Sequence, residues 1–412
     1  MILFCMVIMM KKINIKNGIK LIYEKRKNYI TSFCIGFNAG ALMENKDELG
    51  LAHVVEHMIF KGTNKRDEMQ INMALDEVFG FNNAMTNFPY SIYYGTTLSE
   101  DFEKGFEIYS DIILNPTFPI KGFKEEIDII CEELREWKDD NFQLCEDEML
   151  NNAFEDRRIK TCIIGEEVNI RAFTMEDIKR FYNKFYTPKN CTISVVSSLD
   201  FDVVQSIVNK YFENWNTKNF EIKKDFYEKN KAGKFVKKRE GIQGAKIQYC
   251  FPIDKLDHKE TTALKIFNLK FGEGTSSILY DKIRTENGLA YDVYSYIKNE
   301  AGIKLFTICM GTAKENVDKA IEITNNLIFN IDKIKATFTE NEIKNVVNRL
   351  KLKRELKIER SIELSKELTT SEIMYGHQED FNEQEILEKI GLQEIYGVID
   401  KVLVSPTIQV LS

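Results

Sequence analysis

Two of the chain's four histidines, His53 and His57, stand four residues apart within Gly50-Leu-Ala-His-Val-Val-Glu-His-Met-Ile-Phe-Lys-Gly-Thr63. On an α-helix that spacing puts both imidazoles on one face, one turn apart. Glu56 lies between them, three residues after His53, and can reach the water of an ion they share. Zinc takes imidazole and carboxylate ligands and keeps an open position in catalytic sites. A carboxylate beside it can accept a proton from the bound water. The order H-x-x-E-H is the inverted form of a zinc-helix signature. The competing reading is an accidental match on an amphipathic helix, with each histidine satisfied by a backbone carbonyl. That reading has to explain two histidines and an acid on one face.

With 412 residues the chain has room for two or three domains. Its 43% hydrophobic and 29% charged content is that of a globular enzyme. A net charge of −7 and the lack of any basic stripe exclude a nucleic-acid partner. The eight cysteines form no C-x-x-C pair, and Cys34, Cys191, Cys250 and Cys309 sit in apolar strand-like runs. They read as buried thiols of a reduced compartment rather than a disulfide framework. The apolar Met1–Met10 is followed by Lys11-Lys12. It is too short to span a bilayer and lacks the flanks of a secretory signal. Initiation at Met9 or Met10, or a disordered tail, accounts for it. The expected location is the cytoplasm, with no membrane partner.

Strands are expected over 13–24 and 30–38, then the histidine helix from about 47 to 60, closed by Lys61-Gly62-Thr63. A second helix covers 67–79. Strands Asn82–Thr86 and Ser91–Leu98 flank an Asn-Phe-Pro turn. Helices follow at Asp101–Leu114, Phe123–Lys138, 176–186 and 202–213, with a strand at Cys191–Ser197. The polar, Lys/Asn-rich stretch 216–233 reads as a linker between an N-terminal domain, 10–215, and a C-terminal one, 234–412. After it the order restarts. Lys246–Phe251 is a strand, Thr261–Phe271 a helix in the slot of the histidine helix, and Ser276–Thr285 a further helix. Ala290–Ile297 and Ile303–Gly311 are strands, and 314–331 is a helix. A helical pair over 339–374, short helices within 383–400 and a strand Thr407–Leu411 complete the chain. Tyr94-Gly-Thr-Thr-Leu-Ser-Glu-Asp-Phe parallels Ile308-Cys-Met-Gly-Thr-Ala-Lys-Glu-Asn, each a strand running into a helix start. This implies an internal duplication of α+β class: two homologous domains, each an antiparallel sheet with helices packed on it. Only the first carries H-x-x-E-H.

A catalytic zinc needs a third protein ligand. Helix Phe123–Lys138 offers carboxylates beside an apolar stripe of Phe123, Ile127, Ile130, Cys131, Leu134 and Trp137. Glu126 and Glu133, two turns apart, flank one side of it. A carboxylate beside a buried stripe is costly unless paired or metal-bound. Two partly solvated glutamates on an acidic helix are the plain alternative. Spacing alone does not choose Glu133 over Glu132.

Gly50–Thr63 resembles the zinc helix of the pitrilysin, insulysin and mitochondrial processing peptidase family. In that family the third ligand is a distant glutamate in an acidic helix, preceded seven residues earlier by a supporting glutamate. Glu133 lies 76 residues after His57, and Glu126 seven before Glu133. The family's Asn-Ala-x-Thr edge strand matches Asn83-Ala-Met-Thr86. Its second-unit pattern matches Gly272-Glu-Gly-Thr-Ser-Ser277, Arg284 and Gly288-Leu-Ala-Tyr291. The sequence departs at Ile278, where many relatives carry arginine after the serines; substrate contacts are in question there, the metal is not. The resemblance runs from about Ile13 to the end, in the compact two-unit branch.

It implies one Zn²⁺ per chain held by His53, His57 and Glu133. Glu56 is then the general base and Glu126 the support. Asn83, Ala84 and Thr86 lie on the substrate-pairing strand. Arg284 and Tyr291 donate to a substrate carbonyl or oxyanion; their bland alternatives are a surface ion pair and a core aromatic. The implied protein is an endopeptidase of short or unfolded peptides, closed like a clamshell and acting as a homodimer. A non-catalytic scaffold or peptide-binding subunit is the alternative, though such subunits usually lose part of the ligand set. A metal hydrolase of small molecules is a third class.

Overall fold

The computed structural model describes residues 10–216, 226–376 and 383–412. Residues 1–9 and 217–225, which include half of the expected linker, lie outside the described residues. The described residues form two compact units. The first takes its residues from Met1–Leu134, Ile163–Lys224 and Glu355–His377, the second from Arg135–Cys162, Asp225–Arg354 and Gln378–Ser412.

The first unit holds six strands: β1 (Met10–Asn14), β2 (Lys20–Lys25), β3 (Ile30–Phe37), β4 (Phe79–Thr86), β5 (Ser91–Leu98) and β6 (Cys191–Ser197). They lie in the order β1-β2-β6-β3-β5-β4. The single strand expected over 13–24 is a hairpin. Asn17-Gly18 turns the chain, with Gly18 at φ 98°, a conformation only glycine takes readily. The second unit holds β7 (Gly233–Lys237), β8 (Ala245–Pro252), β9 (Ala290–Glu300), β10 (Ile303–Thr312) and β11 (Thr407–Leu411). Their order is β7-β11-β8-β10-β9.

The two orders are the same if β1 is set aside. β2 and β6 pair parallel, as do β7 and β11, and every other pair is antiparallel. Each sheet therefore adds one parallel pair to the expected antiparallel pattern. A parallel neighbour needs a long crossover, and nearly the whole unit lies between β2 and β6. The duplication extends to detail. β5 and β10 each run into one tight helical turn, Ser99–Asp101 and Lys314–Asn316, and then a helix.

Helices α1 (Leu51–Ile59), α2 (Glu68–Val78) and α3 (Phe102–Leu114) belong to the first unit. Its core gathers around Phe33 of β3, which meets Phe79, Phe102, Phe106 and Tyr109 edge-on at 5.4–6.0 Å. The other face of β3 is also buried, because helix Ser361–Tyr375 packs on β3 and β6. Small and hydroxylic residues let it approach. Thr369 donates to Ser194 Oγ at 2.7 Å, and a side chain at Gly36 would strike Thr369 and Ile373.

Helix α4 (Phe123–Asp139) is followed by α5 (Asn141–Ala153), which packs on β8 and β11 of the second unit. Gln248 donates to Phe142 O at 2.8 Å and Asn152 to Gln409 Oε1 at 2.9 Å. Each sheet thus carries a helix supplied by the other half of the sequence. The helix expected over Ser276–Thr285 is shorter. It is a wide π-type turn over Tyr280–Thr285, ending in bonds such as Glu286 N to Asp281 O. Among the described residues no helix is long and apolar enough to cross a membrane.

Candidate metal centre

The start of α1 has no side-chain cap; Gly50 at its N-terminus takes φ 98°. A Cβ on Gly50 would sit 2.2 Å from Ile164 O, so glycine is required twice over, by conformation and by contact. One free amide at the helix start is met by Glu44, which is 1% exposed and accepts from Ala52 N at 2.9 Å. That negative charge suits a helix N-terminus. Beyond the helix, Thr63 donates to the buried Asp111 at 2.6 Å. Both ends of the histidine helix are therefore tied to the unit.

His53 is buried and His57 nearly so, with ring centroids 4.6 Å apart. Glu133 of α4 reaches both: Oε1 lies 3.6 Å from His53 Nε2, and Oε2 lies 3.6 Å from His57 Nε2. One ligand atom from each of the three falls within 4.8 Å of the others, the only such metal-competent group among the described residues. A tetrahedral zinc with bonds of 2.0–2.1 Å spaces its ligand atoms by about 3.3 Å, close to these distances.

Glu126, buried on the same helix, accepts from His57 Nδ1 at 2.8 Å. That bond puts the proton on Nδ1 and leaves the Nε2 lone pair facing Glu133. Glu126 also pairs with Lys61, which in turn reaches Glu68 at 2.7 Å. Burying a lone carboxylate costs several kcal/mol. Burial alone would raise the Glu126 pKa, but the bonds to His57 and Lys61 outweigh it and hold it low.

Burial, then the neighbouring His57, pushes His53 down to about 3, so its imidazole is neutral, as a metal ligand must be. Among the described residues, the buried His53 Nδ1 meets no hydrogen-bond partner. Burial would also lower His57, yet the Glu126 bond and the charges of Glu56, Glu126 and Glu133 carry it upward. Carboxylates thus crowd two imidazoles in a mostly buried site, and a bound cation would relieve that crowding. The donor set fits zinc.

Glu56 stands beside the three but outside the ligand group. Its carboxylate accepts from Thr86 Oγ1 at 2.7 Å, and burial raises its pKa despite that bond. Asn83 and Ala84 lie on β4, whose far side has no neighbouring strand among the described residues. Asn83 is exposed.

Arg284 and Tyr291 belong to the second unit. They line a groove of 580 Å³ together with Lys246, Asp292 and Asn316. Arg284 donates to Tyr291 O at 2.8 Å and lies over the rings of Tyr280 and Tyr291, at 4.9 and 4.6 Å. It forms no ion pair among the described residues, and Tyr291 is 76% exposed. Neither fits the surface-pair or core-aromatic alternative.

Glu44, Lys61 and the Thr86–Glu56 bond escape the sequence reading. Lys61 carries a signal, being four residues past His57 and so continuing its face. Glu44 carries none, because its target is a backbone amide eight residues on.

Two sequence models of one family match most of the chain. The one described as "Insulinase (Peptidase family M16)" matches 21–167, and the one described as "Peptidase M16 inactive domain" matches 172–350. The chain is similar to the uncharacterized zinc protease YmxG of Bacillus subtilis, 24% identical over 95% of both chains. It is likewise 27% identical to an uncharacterized zinc protease of Rickettsia felis over 95% of both. In fold it resembles the crystal structure of a protease from Helicobacter pylori, with TM-score 0.89 at 20% identity over 98% of this chain and 100% of that one. A further solved relative, titled peptidase M16 inactive domain from Pseudomonas fluorescens, superposes with TM-score 0.83 at 16% identity, covering 98% of this chain and 97% of that one. By the two family matches, the ligand set and the paired sheets, the chain belongs to peptidase family M16.

Proposed function

We propose that the protein is a zinc-dependent endopeptidase of short or unfolded peptides. The observation that supports it most is the convergence of His53, His57 and Glu133 beside an unligated Glu56. The zinc-protease names of its relatives agree. Zn²⁺, when bound, supplies a Lewis acid that makes water acidic and polarises a carbonyl. His53, His57 and Glu133 would hold it. Glu126 and Lys61 keep the His57 ring in its ligating tautomer. Glu56 takes the proton of the attacking water and returns it to the leaving amine.

An extended peptide can add to the open side of β4, along Asn83 and Ala84. Backbone pairing gives affinity with little demand on sequence. Arg284 and Tyr291 are proposed to donate to a substrate carbonyl or the oxyanion. Arg284→Ala should then lower kcat/KM by about 10²-fold or more with zinc content unchanged. An unchanged rate would remove it from the site. A homodimer and a cytoplasmic location complete the proposal.

The direct test is cleavage of a generic fluorogenic peptide by the purified protein. Hydrolysis is expected to stop with a chelator and return with zinc. No cleavage by zinc-loaded protein would favour a scaffold subunit.

A further inference from the structure

Glu56 is half-buried inside helix α1, three residues before its end, and its side chain has three torsions to fix. Among the described residues nothing hydrogen-bonds its carboxylate except Thr86, the last residue of β4. Thr86 is 9% exposed, and its backbone is paired with Ser91 across the hairpin. A β-branched residue in a strand has few χ1 choices, so the sheet sets where this hydroxyl points.

A threonine hydroxyl owns one proton. Its neighbours are Glu56 Oε2 at 2.7 Å and Ser91 Oγ at 3.2 Å. The carboxylate is the nearer and stronger acceptor. Ser91 can in turn donate to Thr86 or to Ala39 O, 3.0 Å away. In either case the Thr86 proton stays with Glu56.

We propose that Thr86 is a positioning residue for Glu56: its hydroxyl occupies Oε2 and leaves Oε1 as the oxygen that meets the attacking water. This rests on the peptidase reading. It gives Thr86 a task apart from peptide pairing, which falls to the backbone of β4 and to Asn83 and Ala84. It also explains the Asn-Phe-Pro hairpin. The turn brings Ser91 behind Thr86, and Ser91 backs the hydroxyl with the Ala39 carbonyl.

The test compares zinc-loaded wild type, Thr86→Val and Thr86→Ser in the full chain. Valine keeps the shape and loses the donor; serine keeps the donor. Losing one hydrogen bond to a charged group should lower kcat by about 10–100-fold. KM and zinc content should hold, and serine should restore kcat to within a few-fold. A crystal structure of Thr86→Val should show Glu56 turned from its wild-type rotamer. Wild-type kcat in Thr86→Val, a loss confined to KM, or an unmoved Glu56 would each overturn the proposal. If Thr86→Val does not fold, Thr86→Ala decides: a fall in kcat at constant KM and zinc content is expected, and no change overturns it. If wild type cleaves nothing, the peptidase reading fails, and the Glu56 rotamer in Thr86→Val still tests the placement.

Discussion

Glu56→Gln is expected to lower peptide turnover by about 10²–10⁴-fold while zinc stays bound. That is about 3–5 kcal/mol of transition-state stabilisation. The substitution is close to isosteric. Its amide oxygen can still accept from Thr86, which now bonds Oε2 at 2.7 Å, so the side chain has reason to stay in place. What disappears is basicity. Glu56 is outside the group of His53, His57 and Glu133, so the metal should not notice the change. Burial already raises its pKa above the ordinary carboxylate value, the direction a base working near neutrality needs. A cation bound nearby pulls the other way, and the Thr86 bond adds to that pull. The experiment reads two quantities on one sample: kcat with a fluorogenic peptide, and zinc per chain by metal analysis. Normal turnover would hand the base to another residue. Loss of zinc together with activity would make Glu56 a ligand.

The parts of this site that could be read from the sequence are those written as short periods. His53, Glu56 and His57 share one turn of helix, and no tertiary information is needed to see it. The repeat was readable in the same way, since β5 and β10 both run into a helix start through similar residues. Partnering across long loops was not readable. Helix α5 has apolar residues at Cys145, Met149, Leu150 and Ala153, and nothing in that spacing says which sheet it covers. Helix Ser361–Tyr375 buries Ser361, Ser365, Thr369 and Ser371 alongside Ile362, Leu364 and Leu368, so its inner face is mixed and no clean apolar stripe marks it. It is inner because β3 and β6 offer Gly36, Cys34 and Ser194 opposite it. The Thr86–Glu56 bond is of the same kind. Each residue looks ordinary alone, and only the sheet's register brings them together.

Glu133→Gln should weaken zinc binding by more than about 100-fold, whereas Glu132→Gln should leave it within about twofold. Changing a mere support of a ligand already costs about 10–100-fold, so losing the ligand should exceed that. The reason for the asymmetry is rotational. Helix α4 is turned by its buried stripe of Ile127, Ile130, Cys131 and Leu134. At about 100° per residue, Glu126 and Glu133 lie within about 20° of each other on one flank. Glu132 lies about 100° further round, on the exposed side. The flank facing α1 is the one with Glu126, because Glu126 bonds His57. Glu133 then falls beside the two Nε2 atoms, 3.6 Å from each, and a glutamine there offers one neutral oxygen where a charged pair stood. Glu126→Gln belongs between the two, at about 10–100-fold, since it loosens the His57 ring and leaves Lys61 without its buried partner. Competition titration against a zinc-binding dye ranks the three variants, with circular dichroism as the check that each is folded. If Glu132→Gln loses the metal and Glu133→Gln keeps it, α4 presents its other flank and the ligand set must be redrawn.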